Sequence, residues 1–132
     1  MGYTSLEIWE SKLEKVFEEI DFFLEEKYGA KYPLHPARPP RGTTSSHAHD
    51  GLFSIGASFT PGFGSKLGRG YALEVRMVTL AKVPVGIKNK MEELVVEMLK
   101  EKLPESFPGK NLQVSRDGNI FKITGDLSLG SL

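Results

Sequence analysis

Residues Gly29 to Gly70 limit what this chain can fold into more than any other stretch. They hold Pro33, Pro36, Pro39, Pro40 and Pro61, the glycines Gly62, Gly64, Gly68 and Gly70, and all of the histidines, His35, His47 and His49. Proline removes backbone donors and glycine raises the entropy cost of ordering, so most of this stretch can be neither a long helix nor a central strand. It suits exposed binding segments held by a rigid scaffold. Regular patterns therefore have to be sought on either side of it, and in one short run inside it.

On its N-terminal side, Leu6, Trp9, Leu13, Val16, Ile20 and Phe23 recur at steps of three and four, and Phe17 and Leu24 broaden the stripe into a face. This predicts a helix over Ser5–Tyr28, with Thr4 and Glu7 as a capping box and Gly29 as its stop. The breadth of the face suits a helix lying on a sheet better than a two-stranded coiled coil.

Inside the stretch, Phe53, Ile55, Ala57 and Phe59 alternate with Ser54, Gly56 and Ser58, which predicts a strand over Leu52–Phe59. The segment 60–70, TPGFGSKLGRG, turns the chain. Leu73, Val75 and Met77 then alternate with Glu74 and Arg76 in a second strand over Tyr71–Leu80. Pro84 and Gly86 break the pattern before a helix over Ile87–Lys102, which Pro104, Pro108 and Gly109 are expected to end. Leu112–Arg116 and Asn119–Thr124 form a further hairpin, with Asp117-Gly118 as the turn signal.

The order is α-β-β-α-β-β. The expected fold is a single α+β domain over residues 1–132, a four-stranded, mainly antiparallel sheet with both helices on one face. It carries a long irregular segment at 30–51 and a glycine-rich hairpin tip at 60–70. The tail, Asp126–Leu132, is expected either to add an edge strand or to grip a second subunit.

Composition narrows the function. The chain has 132 residues and no cysteine, which excludes disulfides, zinc–thiolate sites and a thiol nucleophile. It contains no apolar run of the roughly 20 residues needed to span a bilayer. The opening MGYTSLEIWE matches neither a secretory signal nor a transit peptide, so a cytoplasmic location is expected. Few Asn and Gln amid many Lys and Glu give a thermophile-like composition. Net charge is zero but segregated: residues 1–30 carry −5, residues 31–70 carry +4 and the remainder +1. The central stretch is thus the electrostatic footprint for an anionic partner, unless it faces the acidic helix intramolecularly.

Three motifs bear on chemistry. Gly62, Gly64, Ser65, Lys66, Gly68 and Arg69 could cradle an anion, with backbone N–H groups exposed by the glycines and cations alongside. Arg38 and Arg41 would add charge. The strand–glycine–helix order of Rossmann and P-loop phosphate sites is not met, because here a strand follows the glycines. The alternative is a long turn that needs positive φ at several places.

His47-Ala-His49-Asp50 has a spacing that could hold a divalent metal and support a metal-assisted hydrolase; a hydrogen-bonded loop is the competing reading. Pro36-Ala-Arg-Pro-Pro-Arg41 matches a weakly specific polyproline-II ligand pattern. Nucleophilic catalysis has no supporting motif, and the basic surface is too narrow for nucleic acid. The expectation is a domain binding a small phosphate- or nucleotide-like anion. A structural protein assembling as a homo-oligomer is the alternative.

Overall fold

A computed structural model describes residues 5–62 and 68–125, excluding the side chains of residues 5 and 6. The elements are α1 (Ser5–Tyr28), β1 (Phe53–Thr60), β2 (Gly70–Met77), α2 (Val85–Ser106), β3 (Leu112–Asp117) and β4 (Ile120–Gly125). The strands form one antiparallel sheet in the order β1-β2-β4-β3, giving an α+β fold.

The alternation in each strand decides which side chains enter the core. Phe53, Ile55, Leu73, Val114 and Ile123 are buried on one face of the sheet, against Leu13, Val16 and Ile20 of α1 and Val95, Leu99 and Leu103 of α2. Trp9 joins the layers, with its ring 4.5 Å from that of Phe107 and 5.6 Å from that of Tyr71.

Several local features differ from the sequence expectation. The stripe on α1 drifts: Leu24 is fully buried, whereas Phe23 is 41% exposed. A 3.6-residue turn advances about 20° per heptad past a 3.5-residue repeat, so over two heptads the buried position passes from Phe23 to its neighbour. Helix α2 runs through Pro104 to Ser106, and Phe107 N–H bonds the Leu103 carbonyl at 2.8 Å. Pro104 cannot donate to the Lys100 carbonyl, and the buried Phe107 ring against Trp9 holds the last turn down in spite of that loss.

Gly29 ends α1 for a steric reason, since a Cβ there would lie 2.5 Å from the Glu25 carbonyl oxygen. The last hairpin turns on Gly118-Asn119, one residue later than expected. Asp117 pairs with Ile120, and Gly118 alone takes positive φ, as a type II′ turn requires at its first central position. Thr4 of the capping box and the tail 126–132 lie outside the described residues. Among the described residues, no helix is long and apolar enough to cross a membrane.

The two hairpins are joined weakly. β1 and β2 share eight register pairs and β3 and β4 six, whereas β2 and β4 meet only at Tyr71↔Ile123 and Ala72↔Lys122. Beyond that junction β2 and β4 are not paired.

Candidate functional site

The proline- and histidine-bearing segment folds back onto α1, and it is organised by polar groups. Arg38 fans across four carbonyls: its Nε donates to Gly51, and its Nη2 to Ala48, Asp50 and Phe53, at 2.9–3.2 Å. Buried Asp50 accepts at Oδ2 from Thr44 N–H (2.9 Å) and the Thr44 hydroxyl (2.8 Å). Burial alone would raise the Asp50 pKa; the Thr44 bonds, the Gly42 N–H and Arg38 outweigh it and hold it below the usual carboxylate value. Buried Glu25 of α1 accepts from Phe53 N–H at 2.9 Å. Gly51 (φ +77°) lies against the same carboxylate in a backbone conformation that strains any other residue.

His47 stands between two acids of α1. Its Nε2 is 2.6 Å from Glu14 Oε1 and its Nδ1 is 3.5 Å from Asp21 Oδ2. Burial pushes the Asp21 carboxyl up to about 7; His47 opposes the rise, and Glu25 and Asp50 add to it. Asp21 Oδ2 and His47 Nδ1 are both buried without a well-formed hydrogen bond. A pocket of about 220 Å³ opens beside them, lined also by Arg41, Thr44 and Ser45. Arg41 itself bonds Glu26 at 3.0 Å and lies over the Phe22 ring. The basic segment and the acidic helix therefore satisfy one another to a large degree.

The structure brings Arg38, Arg41, His47 and Asp50 together, and leaves His49 exposed. Among the described residues, no group of three or more His, Asp or Glu side chains is disposed to hold a metal ion.

The neck of the glycine-rich segment stands elsewhere. The Arg38 cluster sits at Phe53, where β1 begins, and Gly62 follows Thr60, where β1 ends. Those strand ends are roughly 23 Å apart at about 3.3 Å per residue. Gly64, Ser65 and Lys66 lie outside the described residues. Gly62 (φ +79°) and Gly68 (φ +74°) close the neck of the tip, and a Cβ on Gly62 would collide with the Gly68 backbone. A Cβ on Gly70 would meet the Ile123 carbonyl at 2.6 Å. The Gly68 carbonyl accepts from Lys122 Nζ at 2.8 Å, and that buried ammonium also pairs with Asp117 at 2.8 Å. These glycines thus have steric work to do at the neck. Arg69 follows it immediately.

A second site lies where the hairpins diverge. A cleft of about 390 Å³ is bounded by β2, the first turns of α2 and the β3–β4 turn. Arg76, Lys88 and Arg116 reach it from three different elements, together with Asn89, Asn119 and one acid, Glu92. Arg116 is steadied by its Nε bond to the Gly118 carbonyl (3.2 Å) and by the Phe121 ring. Helix α2 begins here with Pro84 at its cap position, no side-chain cap and no acid in its first turn, so its positive end is not neutralised by the protein. Residues this far apart leave no local signal in a sequence. Arg76 reads only as the solvent side of β2, and Arg116 and Asn119 as flanks of a turn.

Comparison with known proteins places the chain among relatives. A family described as "Uncharacterised protein" matches residues 4–125. The chain belongs to that family. A relative from Borreliella burgdorferi, also described as an uncharacterized protein, is 38% identical over 125 residues, covering 95% of this chain and 98% of its own. The match spans α1 through β4, so family membership takes in both hairpins and the cleft between them. No solved structure matches the chain.

Proposed function

We propose that the protein binds a small anionic ligand of phosphate type in the cleft between α2 and the diverging hairpins. The observation that carries this reading is the convergence of Arg76, Lys88 and Arg116 on one concave surface, with Glu92 as the one acid of its lining and Glu74 outside it, 4.0 Å from Arg76 Nε. Cations gathered in a low-dielectric cleft focus potential and attract anions more strongly than the same cations scattered over a surface. The exposed start of α2 adds a partial positive charge on the same side. The ligand class is the one that the charge pattern predicts, but its supports are residues from outside the Gly29–Gly70 stretch. Within that stretch, Arg38 is occupied by carbonyls and Arg41 by Glu26.

Thermal unfolding in phosphate and pyrophosphate, against chloride at equal ionic strength, tests the reading. A ligand at about 100 times its Kd stabilises the folded state by about 2.7 kcal/mol. The stabilisation should be lost in the Lys88→Ala, Arg116→Ala double variant, since both side chains are exposed and their removal spares the core. An anion-specific shift that is absent from the wild type, or unchanged in the double variant, counts against the site.

A further inference from the structure

We propose that the cleft takes a nucleoside monophosphate, not a bare inorganic anion; this rests on the anion-binding reading above. The first reason is size. About 390 Å³ lies within the ~300–1,000 Å³ range of small-molecule sites. A lone phosphate is only a few times the size of a water, whose share of liquid volume is about 30 Å³, and would leave most of the space to solvent.

The second reason is layering. Arg76, Lys88 and Arg116 are exposed at the mouth, Glu92 is half-buried, and Val83 and Met91 are buried at the floor. Half-buried Val75 and Met77 extend that floor along β2. An apolar floor offers a bare anion nothing, whereas it suits the face of a planar ring. Thioethers are polarisable and adapt to aromatic surfaces.

The third reason is Glu92. A carboxylate among anion-binding cations repels phosphate, but it accepts hydrogen bonds from a sugar diol, as acidic residues do at dinucleotide sites. Asn89 and Asn119, exposed like the three cations, add neutral donors for a phosphate at the mouth. One ligand meets all three layers: a phosphate at the mouth, a ribose at Glu92 and a base on the Val–Met floor.

Isothermal titration with AMP, UMP, ribose 5-phosphate, adenosine and orthophosphate separates the possibilities. At least one nucleotide should bind tenfold or more tightly than ribose 5-phosphate and orthophosphate, and more tightly than adenosine. Glu92→Gln, which keeps the side-chain shape, should weaken nucleotide binding several-fold and leave orthophosphate binding unchanged or tighter. If orthophosphate or ribose 5-phosphate binds as well as both nucleotides, the nucleotide inference fails and the anion site stands. Equal binding of adenosine and AMP, or no binding by any of the five, overturns both.

Discussion

Asp21 Oδ2 lies 3.5 Å from His47 Nδ1, with the opposite ring nitrogen of His47 held 2.6 Å from Glu14. The imidazole ring thus lies between the two acids, with its Nδ1 side facing Asp21. The carboxyl of Asp21 sits in a buried site near Glu25 and Asp50, which favours its neutral form. The bonds of His47 to Glu14 and of Arg41 to Glu26 pin the strap of residues 38–51 to the first helix beside this contact.

The titration of Asp21 should be visible in stability. Its folded-state pKa, about 7, is raised above the ordinary 3.8, so the folded protein binds this proton more tightly than the unfolded chain. The contribution is complete below about pH 4 and is lost as pH rises towards 7. Asp21→Asn removes it. The stability of the variant relative to wild type should therefore climb between pH 4 and 7, by at most about 1.4 kcal/mol per pH unit, and level off above. Urea unfolding of both proteins across that range measures the difference directly. A flat difference would mean that Asp21 does not titrate there.

Arg38 should prove structural. Its four carbonyl partners span Ala48 to Phe53, so one side chain fixes the whole return of the strap into β1. Arg38→Ala should cost about 2–4 kcal/mol in chemical denaturation, given that charge-assisted hydrogen bonds contribute about 1.5–3 kcal/mol each and do not add. Arg38→Lys should recover less than half, because an ammonium cannot reproduce the planar fan. Limited proteolysis within residues 38–51 should accelerate in both variants.

Lys122 should behave as a buried half of a pair. Its side chain is 3% exposed and bonds Asp117 and the Gly68 carbonyl. Lys122→Ala should destabilise by about 3–5 kcal/mol, the usual cost of breaking a buried ion pair from one side. Lys122→Met combined with Asp117→Asn should recover much of that loss in the same denaturation assay, since the volume is kept and no charge is stranded.

Most of the architecture was legible because it depends on periodicity. The alternation around Ile55, Leu73 and Ile123 and the stripe from Trp9 to Leu24 record which face meets the core. Boundaries were less legible where tertiary contacts override local preference. Phe107 carries α2 past Pro104 by docking on Trp9, and the buried seam of α1 slips from Phe23 to Leu24 as the helix turns.

The candidate sites divide in the same way. The element order, the two-sided strands and the charge segregation can be read along the chain, because each is a property of neighbouring residues. Where the charges go is settled by packing. The folded chain sets His47 between Glu14 and Asp21, commits Arg38 to four backbone carbonyls, and keeps the Gly62 and Gly68 neck a strand's length away from the Arg38 cluster. It also joins β2 to β4 through only two pairs, and it gathers Arg76, Lys88 and Arg116 from three elements around one cleft. Such convergence depends on distances between residues remote in the chain, and those are fixed by packing rather than by local spacing.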